Sequence, residues 1–279
     1  MKTKKTMIAL LMLALTAFTV YADEKTDAFI EAVQKNNVDE VRRLIADGAD
    51  MNATNDYNVT ALMIAVALKC TDVARLLIAA GADVNAKDND GTTALMFTTF
   101  HDSAYVAKLL LMVGADAKDN DGKTALMYAA QYKSADTARL LIAAGADAEA
   151  KNNEGITALM FAAGNNSADM AELLIAAGAD VNAKSDDGTT ALMGAAATKS
   201  SDVAALLIES GADANAKDND GVTVLIFATY RDADDIAELL LAAGADMNAT
   251  DNDGKTALMY AEEWGSPNVA QLLKAAGAR

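Results

Sequence analysis

Apolar residues fall into short paired clusters along this chain, separated by polar turns. In a typical pair, residues 94–100 form one cluster and residues 104–113 the next, and the second carries apolar side chains at helical spacing. The pattern predicts two short helices per pair, joined by a break. A threonine opens the first helix, where its hydroxyl can accept from the orphan amides of the first turn. Ser134, Ser167, Ser200 and Ser266 stand where the second helix should be capped, and Ser266-Pro267 adds a proline at the first helical position. Asp72, Asp136, Asp169, Asp202 and Asp235 fall in the first turn of the second helix, where the helix dipole favours negative charge. A glycine closes each pair and supplies a left-handed residue.

The pairs repeat. Thr-Ala-Leu-Met begins at Thr60, Thr93, Thr124, Thr157, Thr190 and Thr256, with Thr-Val-Leu-Ile at Thr223; successive spacings are 33, 31, 33, 33, 33 and 33 residues. The closing glycines are Gly48, Gly81, Gly114, Gly145, Gly178, Gly211, Gly244 and Gly277, and Asp-Asn-Asp-Gly turns stand at 88–91, 119–122, 218–221 and 251–254. This unit resembles the ankyrin repeat, a helix–turn–helix of about 33 residues with a projecting hairpin. The resemblance covers residues 27–279 and implies an all-α solenoid of eight helix-turn-helix units with β-hairpin loops. The units run approximately 27–54, 55–87, 88–118, 119–151, 152–184, 185–217, 218–250 and 251–279, and the first and last serve as caps. A lone unit cannot bury its apolar face, so stacking must supply one continuous narrow core and a long surface.

Three departures from the family pattern carry expectations. The usual Thr-Pro-Leu-His has become Thr-Ala-Leu-Met, so Met63, Met96, Met127, Met160, Met193 and Met259 should fill the histidine's space by packing. The glycine between helices survives only as Gly265; Lys69, Asp102, Lys133, Asn166, Lys199 and Asp232 replace it elsewhere, at some backbone cost. The 31-residue unit lacks two residues between Gly114 and Gly122, which predicts a stunted hairpin and a weaker joint between neighbouring units.

The first 22 residues read differently. Lys2, Lys4 and Lys5 precede an apolar run from Met7 to Val20, and Val20-Tyr21-Ala22 offers a cleavage site before Asp23. That is a secretory signal, and the run is too short to span a bilayer. The domain is therefore 23–279, and the expected location is periplasmic or secreted. The net charge of −17 includes those three lysines, so the mature chain is more acidic still. Such a surface repels nucleic acid and anionic lipid and suits a basic partner. The single cysteine, Cys70, leaves the oxidising compartment unused for an internal disulfide.

Converging catalytic groups are missing from the pattern. His101 is the only histidine, and no serine lies in Gly-x-Ser-x-Gly. Gly122-Lys123-Thr124 and Gly254-Lys255-Thr256 imitate the end of a phosphate loop, but Ala117 and Ala249 occupy the place of its first glycine. The acidic turns fail the calcium-loop spacing, with Ala86 and Phe97 at the first and twelfth positions. No catalytic residue, cofactor or metal is expected.

The informative feature is aromatic register. Phe97, Tyr128, Phe161, Phe227 and Tyr260 lie four residues after the anchor threonine, Phe100 and Tyr230 seven after, and Tyr132 and Trp264 eight after. These offsets share one helical face. The resemblance implies that the first helices line the concave side, with their far ends open. Contact candidates are therefore Phe100, His101, Tyr132, Tyr230 with the adjacent Arg231, and Trp264, because aromatics dominate binding hot spots. The hairpin tips add Tyr57, Asp90, Asp121, Glu154, Asp187, Asp220 and Asp253. The expected function is a non-catalytic scaffold, monomeric, holding a protein partner with a basic and apolar patch. A self-associating assembly protein and a metal-assisted enzyme are the alternatives.

Overall fold

The structure, a computed structural model, describes residues 24–279. The apolar run Met7–Val20 and the cleavage site after Ala22 lie outside the described residues. The chain divides into two compact units, the first ending at Ala146 and the second running from Asp147 to Arg279.

In the first unit, helices come in four pairs: α1 (Glu24–Gln34) with α2 (Val38–Ala46), α3 (Ala61–Ala67) with α4 (Thr71–Ala80), α5 (Ala94–Thr98) with α6 (Ala104–Met112), and α7 (Ala125–Tyr132) with α8 (Ala135–Ala143). The second unit repeats this with α9 (Ala158–Gly164) and α10 (Ala168–Ala176), α11 (Ala191–Ala197) and α12 (Ser201–Glu209), α13 (Val224–Tyr230) and α14 (Asp234–Ala242), and α15 (Ala257–Trp264) and α16 (Pro267–Ala276). Within each unit the first helices pack side by side in one row and the second helices in another. The core lies between the rows. Leu62, Met63, Leu77, Met96, Leu110 and Met127 are fully buried in the first unit, and Leu159, Met170 and Leu174 in the second. Each such side chain contributes roughly 1.5–3 kcal/mol. Among the described residues the hairpins form no strand, only isolated bridges at Thr54–Thr60, Lys217–Thr223 and Thr250–Thr256.

The anchor threonines act as predicted. Thr60, Thr124, Thr157, Thr190, Thr223 and Thr256 each accept through Oγ1 from the amide three residues on, whereas Thr93 caps without that bond. The methionines do more than pack. The Thr60, Thr124 and Thr190 amides donate to Sδ of Met63, Met127 and Met193 at 3.4–3.5 Å, so a thioether closes the capping box that a glutamate or glutamine usually closes. Met259 instead stands half-exposed in the last repeat.

The serine caps of the second helices are a correction. Ser134, Ser167, Ser200 and Ser266 occupy the N-cap position, yet none caps with its side chain. Ser134 and Ser266 donate instead to the carbonyls of Thr99 and Thr229 in the preceding repeat. The free amides are taken by aspartates of that repeat: Asp102 accepts from Asp136 and Thr137 at 3.3 and 2.8 Å, and Asp232 accepts from Val269 at 3.0 Å. Asp102 and Asp232 are two of the residues standing where glycine was expected, with φ of 52° and 51°. The backbone cost there is offset by charge-assisted bonds to a helix N-terminus.

The hairpins stack by a ladder between repeats. Asn89 N donates to the Tyr57 carbonyl, Asn120 N to Asp90, Asn219 N to Asp187 and Asn252 N to Asp220, each at 3.0 Å. A Cβ on Gly91 would lie 2.6 Å from the Asn120 nitrogen, and φ there is +79°, so only glycine permits the approach. Asn52, Asn85, Asn182 and Asn215 accept through Oδ1 from the Asp amide of the next repeat. The 31-residue unit omits that Val-Asn step and the turn it makes. Its hairpin is stunted as predicted, but it remains bonded to its predecessor through Asp116 N to Asn85 Oδ1 and Lys87 Nζ to the Lys118 carbonyl.

Candidate interaction surface

The aromatic residues separate into two clusters. In the first unit Phe100 lies just beyond the five-residue α5 and folds back between its neighbours. Its ring meets Phe97 at 5.4 Å, Tyr128 at 6.2 Å and Tyr132 at 4.8 Å between centroids, all edge-on. Tyr132 stacks on Tyr128 at 6.1 Å. Phe100 is consequently only 5% exposed and Tyr132 7%. The expectation that both stand open is corrected: two consecutive repeats each bring a pair of aromatics to one register, and the four rings bury one another. Burial pushes the Tyr132 hydroxyl up to about 12, and it drives Tyr128 higher still, helped by the hydrogen bond that Tyr128 donates to Asp119 at 2.7 Å. His101, the residue after Phe100 in the chain, is half-buried.

The second unit keeps its aromatics open. Trp264 ends α15, which Gly265 terminates with φ of 69°. Its indole stacks on Tyr260 at 4.4 Å and 29°, and Tyr230 meets it edge-on at 5.8 Å and 90°. Tyr230 is 65% exposed and Trp264 44%. At the matching offsets the neighbouring repeat supplies only Gly194, Ala197 and Thr198, so nothing covers Tyr230 from that side. Tyr260 is anchored from below: its hydroxyl donates to Asp251 at 2.6 Å, and the Lys255 ammonium lies 5.0 Å from its ring centre. That bond to a carboxylate is the main cause raising the Tyr260 hydroxyl to about 12. Lys255 also pairs with Glu263 at 2.6 Å, and Lys274 with Glu262 at 2.6 Å, so both glutamates beside Trp264 are held by lysines. Arg231, the residue after α13, is exposed.

The tip residues Tyr57, Asp90, Asp121, Glu154, Asp187, Asp220 and Asp253 are all exposed. The carbonyls of Tyr57, Asp90, Glu154, Asp187 and Asp220 build the ladder, and the six acidic side chains form an exposed edge. Asp187 accepts from the Ser185 hydroxyl at 2.5 Å and the Thr189 amide at 3.0 Å, which lowers its carboxyl below the usual range. The neighbouring turn acids serve structure: Asp88, Asp119, Asp218 and Asp251 each accept from amides of their own turn. Cys70 is buried at the start of α4, and burial pushes its thiol up. Among the described residues no three histidine, cysteine or acidic side chains converge as a metal site, and no helix is long and apolar enough to cross a membrane.

A family model described as ankyrin repeats, three copies to a match, aligns with residues 3–88, 82–152, 144–218 and 210–279. The chain belongs to the ankyrin-repeat family. Ankyrin repeats are modules of protein–protein interaction, and the paired helices, capped by threonine and joined by stacked hairpins, are the family's architecture. No curated protein matches this ankyrin-repeat chain.

One surface escaped the sequence argument. Tyr105, Met112 and Val113 on and just after α6 are exposed at 55%, 74% and 52%. Register comparison could have found them: the flanking repeats carry Asp72 and Asp136, Ala79 and Ala143, and Ala80 and Ala144 at those offsets.

Proposed function

We propose that this ankyrin-repeat protein is exported and holds a protein partner, without catalysis, on the face formed by its first helices and hairpin tips, the side that ankyrin repeats present as concave. The observation that carries this is the open corner of Tyr230, Tyr260 and Trp264, in a unit whose hairpin tips Asp187, Asp220 and Asp253 are also exposed. Rings held rigid by stacking bury a large area at low entropy cost. Carboxylates at the rim favour a partner with a basic and apolar patch and repel nucleic acid. Export rests on the amino-terminal segment, and cleavage after Ala22 leaves no membrane-inserted part.

A photo-crosslinking residue at position 264 or 253, used in the envelope fraction of the source organism, yields one discrete protein adduct. The same residue at position 202, on a second helix, yields none. Adducts in equal amount from all three positions defeat the assignment. Mass measurement of the exported chain tests the location, with Asp23 expected at the amino terminus.

A further inference from the structure

The outward face of the second helices in the first unit follows a register that α6 breaks. Twelve residues after the anchor threonine stand Asp72 on α4 and Asp136 on α8; fifteen after it stand Arg75 and Arg139. The acid and the cation are joined within each helix, at 3.5 Å for Arg75–Asp72 and 2.9 Å for Arg139–Asp136. Between them α6 carries Tyr105, Lys108, Met112 and Val113 at offsets twelve, fifteen, nineteen and twenty. Residues 105, 108 and 112 share one helical face. Because α6 packs against both α4 and α8, the exposed apolar side chains sit centrally between two acid–cation pairs. Exposed apolar side chains inside a polar frame mark a contact surface.

The frame selects the occupant. A two-fold interface must be self-complementary. When this face lies antiparallel against a copy of itself, offset twelve on one chain meets offset fifteen on the other. Asp72 then faces Arg75 of the second copy, Asp136 faces its Arg139, Tyr105 of α6 faces its Lys108, and Met112 and Val113 flank the axis on either side. The second unit cannot do this, because it carries Asp169 with Glu172 and Asp235 with Glu238 at the same offsets, acid against acid. Charge is also uneven along the chain: residues 24–146 hold 12 basic and 17 acidic residues, and residues 147–279 hold 8 and 22. Two copies meet at least electrostatic cost through the first unit.

We infer that the protein forms a two-fold dimer, rather than the expected monomer, through the outward face of α4, α6 and α8, with Tyr105 and Lys108 at its centre and Met112 and Val113 flanking them. This face lies on second helices and shares no residue with the partner-binding face proposed above.

Sedimentation equilibrium of the purified protein tests the dimer. Wild type should show a concentration-dependent doubling of mass. The triple variant Tyr105→Ala, Met112→Ala, Val113→Ala removes only exposed side chains, so its circular dichroism should be unchanged while its dissociation constant rises at least about 30-fold. Arg75→Asp with Arg139→Asp should weaken the dimer, and adding Asp72→Arg with Asp136→Arg should restore it, because the exchanged face is again self-complementary. Trp264→Ala should leave it intact, which separates this inference from the partner-binding proposal. A wild type that stays monomeric at the highest attainable concentration, or a dimer indifferent to the triple variant, overturns it.

Discussion

Truncating Phe100 and truncating Trp264 should differ widely in their cost to stability, although both residues stand at or just beyond the far end of a first helix. Phe100 is 5% exposed and meets three other rings at 4.8–6.2 Å. Removing a buried phenylalanine ring costs roughly 3–5 kcal/mol, through lost transfer energy and the cavity left behind. Three edge contacts place Phe100→Ala in the upper half of that range, since each aromatic pair adds about 0.5–1.5 kcal/mol. Trp264 is 44% exposed and loses one stacked and one edge contact, so Trp264→Ala should cost only about 1–2 kcal/mol. Urea unfolding followed by far-ultraviolet circular dichroism measures the difference. With a slope of about 3 kcal/mol per molar urea, the Phe100 midpoint should fall by roughly 1 M or more and the Trp264 midpoint by about half of that or less. Equal midpoints would refute the division into a buried and an open cluster.

Three further outcomes follow from the local structure. Lys69→Gly should stabilise by up to about 1 kcal/mol, because φ there is 60°, whereas Asp102→Gly should bring no gain, since relief of strain is offset by loss of the bonds to the Asp136 and Thr137 amides; thermal midpoints compare the two. The Tyr132 and Tyr260 hydroxyls are raised to about 12, so the folded state favours their neutral forms; that stability is present below about pH 10 and should be lost between pH 10 and 12, and Tyr132→Phe should flatten the decline in urea midpoint. Amides of residues 115–118 should exchange faster than those of 212–216, where Asn215 N donates to Asp213; equal protection contradicts the effect assigned to the shortened hairpin.

Much of the fold was legible because the repeat writes each local rule several times. Threonine anchors, closing glycines and first-turn aspartates all stand where periodicity put them. What stayed hidden lies between repeats. That Asp102 caps the helix of the next repeat, while Ser134 turns to a carbonyl behind it, depends on how two units sit together, and one unit's sequence is silent on that. The same limit explains the contact candidates. The far-end offset is open at Tyr230 and Trp264 but closed at Phe100 and Tyr132, because there the adjacent repeat brings rings rather than glycine and alanine. Tyr105 shows only against its register, because it stands alone where the flanking repeats carry Asp72 and Asp136.

The most direct test is a calorimetric titration of the crosslinked partner, once purified, against wild type, Trp264→Ala and Tyr230→Ala. An open aromatic corner that anchors the complex predicts a loss of at least about 30-fold in affinity for Trp264→Ala, the 2 kcal/mol of a hot-spot residue, with a smaller loss for Tyr230→Ala. Affinities unchanged by both substitutions would mean that this face does not hold the partner.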